Sequence, residues 1–114
     1  MSHYEDARKL CQDVGGKLPE PRNSQENDFL QRLFHTKWFF LGLTQTDPDS
    51  RYKWTSDGLA VTWTAWASGQ PQNLNYPTTD CVAYFKEWAT ASCVQSERYP
   101  VVCEKTGKYT IHHR

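Results

Sequence analysis

Trp38-Phe39-Phe40-Leu41-Gly42-Leu43 is apolar throughout, carries no charge, and lies between the charged residues 25–37 and the turn-rich residues 44–51. A run of this length, rich in aromatic rings and without period-2 alternation, reads as a strand buried on both faces and the spine of one core. Gly42 offers no packing surface, so its place in the strand predicts a close approach by another backbone or side chain. The stretch fixes an architecture but no chemistry.

Working outward, 114 residues form one domain with room for a modest core. Five Trp, six Tyr and five Phe imply a core and a surface built from large rings. Thirteen basic side chains balance thirteen acidic ones, and no block of like charge appears, which argues against nucleic acid or an anionic membrane as partner. The apolar runs are too short for this segment to insert in a bilayer. Cys11, Cys81, Cys93 and Cys103 contain no C-x-x-C pair and no His at zinc-finger spacing. An even count in a small domain favours two disulfides and an oxidising compartment, with three connectivities open. The residues after Met1 lack a basic and then apolar leader, so the chain reads as a processed piece of a secreted protein or the extracellular part of a cell-surface protein.

Upstream of the spine, Ser2-x-x-Glu5 has the form of a capping box, and Tyr4, Ala7, Leu10, Cys11 and Val14 recur at helical spacing until Gly15-Gly16. Asn23-x-x-Glu26, or Ser24 as the cap, opens a second helix with Phe29, Leu30, Leu33 and Phe34 on its inner face and His35 as a charge at its negative end. Downstream, Asp47-Pro48-Asp49 reads as a solvated turn, because the further acidic ligand and turn glycine of an EF-hand are missing. Residues 52–58 read as a short alternating strand ending in a turn. Residues 67–80 are a long polar loop, of a length that is usually functional or disordered. From Cys81 three short apolar segments, 81–85, 88–93 and 99–103, have the pattern of a β-meander.

Taken together, Ala7 and Cys11, Gly15-Gly16-x-Leu18, Glu26 with Phe29, Phe40-Leu41-Gly42-Leu43, Trp54-x-x-Asp57-Gly58, Trp66, Gln70-Pro71, Cys81-Val82, Trp88, Cys93 and Val102-Cys103-Glu104 resemble, in order, the landmarks of the C-type lectin-like domain. The match runs from about residue 4 to residue 104. The resemblance implies an α+β fold, two helices flanking small antiparallel sheets with a long loop, and Cys11–Cys103 and Cys81–Cys93 disulfides. It also implies a cis peptide at Gln70–Pro71, a bond type that costs little before proline.

In sugar-binding members the resemblance implies a calcium ion in the long loop, held by Glu-Pro-Asn or Gln-Pro-Asp, by a Glu before the third cysteine, and by the Asn-Asp of Trp-Asn-Asp. Here those positions read Gln70-Pro71-Gln72, Thr79, and Ala89-Thr90 after Trp88, and the first acid of a second loop calcium reads Gln45. No carboxylate remains at them, although a hard cation needs six to eight oxygens, several of them charged. Asp80 adjoins the Glu position but points to the other strand face.

The expected function is therefore a non-enzymatic, calcium-independent extracellular recognition module without a cofactor. It binds a protein ligand through Gln70, Gln72, Asn73, Leu74, Asn75 and Tyr76, where Tyr and Asn supply rigid area and adaptable hydrogen bonds. A calcium-dependent carbohydrate-binding lectin using the atypical Gln70, Gln72, Asn73 and Asn75 set is one alternative, with a glycan as partner. A structural domain of a larger extracellular protein is another. No serine-hydrolase, zinc-protease or phosphate-loop motif occurs, and His112-His113 would point to opposite faces of a strand. Family members open on a strand paired with that of the last cysteine, whereas this chain opens on helix one. Tyr109 and Ile111 alternate with polar neighbours after a Lys105-Thr106-Gly107-Lys108 turn, so residues 108–113 are expected to supply that strand, within the chain or swapped to a second copy as an oligomer.

Overall fold

The computed structural model describes residues 3–34, 38–45, 51–71, 80–93 and 99–112. In chain order its elements are α1 (His3–Asp13), α2 (Ser24–Phe34), β1 (Phe39–Gln45), β2 (Lys53–Trp54), β3 (Asp80–Phe85), β4 (Glu87–Ser92), β5 (Val101–Lys105) and β6 (Lys108–His112). One antiparallel sheet has the order β2-β1-β3-β4, and β5 and β6 form a separate antiparallel ladder. His35, the Asp47–Asp49 turn and the Ser2 cap lie outside the described residues.

β1 is the spine, set one residue later than the sequence suggests, with Trp38 exposed just before it. Its side chains divide two cores by the period of 2. Phe40 faces Tyr4, Ala7, Cys11, Leu18, Cys81 and Cys103, while Phe39, Leu41 and Leu43 face a ring-rich cluster around Tyr84 and Trp88. β3 splits the same way, Cys81 and Ala83 to one side and Val82 and Tyr84 to the other. Two disulfides, Cys11–Cys103 and Cys81–Cys93, staple the first core. By loop length they contribute roughly 4–5 and about 3 kcal/mol in the chain-entropy picture.

At Gly42 the backbone turns away from β3. Its N–H donates to Pro19 O at 2.8 Å and its carbonyl accepts from Thr55 N at 2.9 Å, in the interval where the β1–β3 register shifts. A Cβ here would stand 3.1 Å from Glu20 Cγ and Oε2 and 3.2 Å from Leu18 O. The close approach expected of this glycine is thus the Leu18–Glu20 segment.

α1 buries Tyr4, Ala7 and Cys11 and ends in a paired hydrogen-bond turn: Gly15 N donates to Gln12 O at 3.0 Å and Gly16 N to Cys11 O at 2.7 Å, with Gly15 at φ 84°. Val14, expected on the buried face, is instead 42% exposed, because the helix has ended before it. α2 is capped by Asn23, whose Oδ1 accepts from Glu26 N at 2.9 Å, while Glu26 Oε1 reaches back to Arg22 N at 2.8 Å. Its inner face is Asn27, Leu30 and the half-buried Phe34. Phe29 and Leu33 are 41% and 47% exposed and sit on the adjoining stripe, one turn apart, where Phe29 meets the Tyr109 ring of β6 at 5.7 Å.

The alternating strand read at residues 52–58 shrinks to β2, because Trp54 O accepts from Gly58 N at 2.8 Å and closes a turn. The meander holds only for β3 and β4. β5 leaves that sheet, for its edges are taken by Lys17, bridged to Glu104 by bonds of 2.7 and 3.0 Å, and by β6 in the register Cys103↔Thr110. Tyr109 and Ile111 are half-buried against the ring-rich core.

Candidate functional site

Trp88 anchors the base of the long loop. Its indole is wholly buried and meets the edges or faces of Trp54, Trp63 and Trp66 at 5.9, 5.8 and 5.5 Å, each near perpendicular. Its Nε1–H donates to Asn27 Oδ1 at 2.9 Å, and the Tyr84 hydroxyl donates to Asn27 O at 3.1 Å. Burial pushes the Tyr84 hydroxyl up to about 12, with Asp28 adding to the effect. Asn27 satisfies a ring N–H that could not otherwise be buried at low cost. In the sequence it is one polar residue in an amphipathic helix, and only the fold reveals its partner.

The Trp88 backbone then positions the loop. Ala67 N donates to Trp88 O and Trp88 N to Ala65 O, both at 2.9 Å, and Gln70 N donates to Ala67 O at 3.0 Å. Gly69 takes φ 83° in that turn, and Gln70–Pro71 is cis, as the resemblance implies. Thr90, two residues beyond Trp88 on β4, shares its strand face and is buried. There Gln70 Oε1 accepts from Thr90 N at 3.0 Å and from Thr90 Oγ1 at 2.7 Å.

Calcium is the ion that this loop holds in sugar-binding members of the resembling family. Of the positions concerned, Gln70, Ala89 and Thr90 are described, and they offer one neutral carbonyl, one methyl and one hydroxyl. The carbonyl already serves both Thr90 donors. Gln45 is buried at the end of β1, its backbone opposite Asp80 in the ladder. Among the described residues no three His, Cys, Asp or Glu gather as a metal would require. The described part of this donor set, neutral throughout, does not fit the ion. Of the residues expected to contact ligand, Gln70 stands at the loop's base, while Gln72, Asn73, Leu74, Asn75 and Tyr76 lie outside the described residues, as does Thr79.

Next to the Gln70–Pro71 turn an open groove of about 410 Å³ is lined by Arg51, Tyr52, Ala60, Val61, Trp66 and Pro71. The Tyr52 and Trp66 rings meet edge to face at 5.0 Å, and Val61 N donates to Tyr52 O at 3.1 Å, which fixes the groove's floor. In the sequence Trp66 and Pro71 stand out only as landmarks of the resemblance, and nothing local joins them to Arg51, Tyr52, Ala60 and Val61.

A second polar cluster lies across the sheet. The Glu20 side chain is 1% exposed, yet it accepts from Ser56 N at 3.1 Å, Ser56 Oγ at 2.8 Å, Arg22 Nη2 at 2.6 Å and Lys17 Nζ at 3.3 Å. Arg22 also pairs with Asp57 at 2.8 Å and lies over the Trp54 ring at 5.3 Å. This cluster has a structural task, pinning the residues beside Gly42 to the turn after β2.

Residues 1–105 match the Lectin C-type domain family. A perlucin-like protein of Mytilus galloprovincialis is 28% identical over 106 residues, covering 89% of this chain and 63% of the relative. Collectin-43 of Bos taurus is 30% identical over 109 residues, 91% of this chain but 33% of its own length. The chain thus spans less than two thirds of these relatives. Among solved structures, the mouse scavenger receptor C-type lectin carbohydrate-recognition domain superposes with a TM-score of 0.75 at 24% identity, over 99% of this chain and 84% of that one. The human counterpart gives 0.71 at 25% identity, over 83% and 78%. With two helices, small antiparallel sheets, two disulfides and a family match over nearly its whole length, the chain belongs to the C-type lectin domain family.

Proposed function

We propose that this chain is a non-enzymatic, extracellular recognition module that works without calcium and meets its ligand at the base of the long loop. The observation that carries this reading is the Gln70–Thr90 pair: the carbonyl that a loop metal would need is spent on two donors of the chain itself. Recognition then rests on ring faces, shape and ordinary hydrogen bonds. A protein ligand is the first reading of the partner, contacted by Gln70 and the loop residues 72–76. Residues 1–114 act in this reading as one domain, with β6 completing the β5 ladder, which its register from Val101↔His112 to Lys105↔Lys108 supports.

A saccharide held without metal is the second reading. The groove beside Pro71 favours it, with its aromatic floor and one polar rim, as does the carbohydrate-recognition domain of the human scavenger receptor lectin among the relatives.

Calorimetry tests the common core of both readings. Titrating calcium to 10 mM (roughly the weak end of extracellular calcium modules and beyond) is expected to give no saturable heat and no rise in melting temperature. A saturable isotherm that disappears in Gln70→Ala would overturn the proposal.

A further inference from the structure

β6 is an edge strand, and the charges along it select what can pair with it. The β5 ladder leaves its outer side open. Glu104 engages Lys17 with both its N–H and its carbonyl, on the far side of β5, so Glu104↔Tyr109 is a pair without hydrogen bonds between its two members. The N–H and carbonyl of Tyr109 therefore point away from β5, and by the period of 2 those of Ile111 do the same. The turn agrees with this register: Thr106 and Gly107, at φ 46° and 77°, close a two-residue hairpin on the pair Lys105↔Lys108. Among the described residues β6 pairs with β5 alone. A row of unpaired peptide groups of this kind is a template for one more strand.

The two faces of the edge differ. Tyr109 and Ile111 turn toward the ring-rich core, where the exposed stripe of α2 adjoins them through the Phe29–Tyr109 contact. Lys108, Thr110 and His112 take the opposite face, in line with Lys105, Cys103 and Val101 of β5. Lys105 and Lys108 are exposed and stand directly opposite one another, a placement of like charges that destabilises the hairpin slightly. Thr110 and His112 are tied to each other at 3.0 Å, and Lys105 Nζ donates to Val14 O at 3.3 Å. Neither lysine enters any of the described ion pairs. Edge lysines are also a guard against a second identical strand. An antiparallel copy of β6 centred on Thr110 would set Lys108 against His112 at each end and bring no carboxylate to either lysine. The same two side chains thus repel a second copy and attract a strand that carries acids.

We propose that the outer edge of β6, with Lys105 and Lys108 on one face and Phe29 and Tyr109 on the other, is a docking site for an extended protein segment that alternates acidic and apolar residues. Main-chain bonds to Tyr109 and Ile111 hold the segment beside β6, its acids lie along the lysines, and its apolar residues lie along the α2 stripe. The site is separate from the long loop and does not depend on how that loop meets its ligand.

The whole chain is titrated with the fluorescein-labelled peptide Val-Glu-Val-Glu-Val-Glu-Val and with the same peptide carrying Lys in place of Glu. Exchange of the Tyr109 and Ile111 amides is followed by NMR in the free and the bound chain. The Glu peptide is expected to bind with a Kd below about 1 mM, and the Lys peptide at least about tenfold more weakly. Both amides should exchange about tenfold more slowly in the bound chain. Lys108→Glu lies outside the core and relieves the opposed lysines, so the fold stands and the preference between the two peptides should reverse. Phe29→Ser should weaken the Glu peptide without reversing that preference. Equal binding of the two peptides, or a preference unmoved by Lys108→Glu, would overturn the acidic selection. Binding that leaves the Tyr109 and Ile111 amides unprotected would place the peptide elsewhere and overturn the site. Amides already protected in the free chain, together with a dimer in sedimentation, would make a second copy the occupant and overturn the proposal. Failure of both peptides overturns it too, and leaves the metal-free reading of the loop untouched.

Discussion

Glu20 and Gln70 each bind the backbone N–H and the hydroxyl of one residue, Glu20 with both carboxylate oxygens and Gln70 with its one amide oxygen. Glu20 accepts the backbone N–H and the hydroxyl of Ser56 at 3.1 and 2.8 Å, and Gln70 accepts the backbone N–H and the hydroxyl of Thr90 at 3.0 and 2.7 Å. Each pins an irregular segment to the sheet. They differ in charge, and the difference propagates outward. A carboxylate 1% exposed carries a large desolvation cost, and the chain meets it with Lys17 and Arg22, the latter held in turn by Asp57 and the Trp54 face. The amide of Gln70 is neutral, so its bonds to Thr90 need no cation to balance a buried charge. Where this fold keeps a buried acid it carries its own cations. At the loop's base the described pair is neutral, which is what the proposed metal-free reading requires.

Removing the charged member should cost most. Glu20→Ala leaves Lys17 and Arg22 facing a void and Ser56 N–H unbonded, at an expected cost of about 3 kcal/mol, below the upper range for fully buried pairs because Lys17 and Arg22 are partly solvated. Urea unfolding measures it. A loss under about 1 kcal/mol would put the cluster in the class of surface ion pairs and dissolve the contrast with Gln70.

Gln70→Ala should cost less, about 1–2 kcal/mol, since no charge is stranded and only the Thr90 donors lose their partner. A double-mutant cycle with Thr90→Val sharpens the point, with an expected coupling of about 0.5–1.5 kcal/mol that is unchanged by EDTA or by calcium. Coupling that collapses on adding calcium would show that an ion competes for the Gln70 oxygen.

These two clusters also mark how far the sequence could be read. Gly42 announced a close neighbour, since a residue without a side chain inside a buried strand needs one, but nothing local named Glu20. Gln70 and Thr90 were singled out through the positions of lost metal ligands, without any sign that they would bond each other across 20 residues. Periodicity put Phe29 and Leu33 inside because it reports a stripe, while the sheet takes up only the Asn27–Leu30–Phe34 side of α2. The meander was misread for a related reason: three apolar runs in succession give strands, but not their partners. The pairing of β5 with Lys17 and β6 is fixed by contacts about 90 residues apart in sequence on one side and by a two-residue turn on the other.

The smallest expected effect lies at the edge of the charged cluster and tests its reach. The Arg22 guanidinium beside Asp57, with help from the Leu59 N–H, holds the Asp57 carboxyl below its ordinary value of 3.8. A carboxyl depressed in the folded state stabilises the fold above its unfolded value and loses that contribution as pH falls through the folded one. Glu104 works in the opposite direction. Burial raises its carboxyl, against the pull of the Glu20 N–H and Lys17, so its ionised form opposes folding and protonation relieves the opposition as pH falls. The acid limb of the stability curve is thus a difference between the two. Asp57→Asn removes only the first, so the variant should start slightly less stable at pH 6 and converge on the parent as pH drops below 4. Urea midpoints for both proteins at pH 6, 4 and 3 check this. Midpoints that fall in parallel would show that the network around Glu20 ends at Arg22, leaving the buried carboxylate with two cations and no outer acid to orient them.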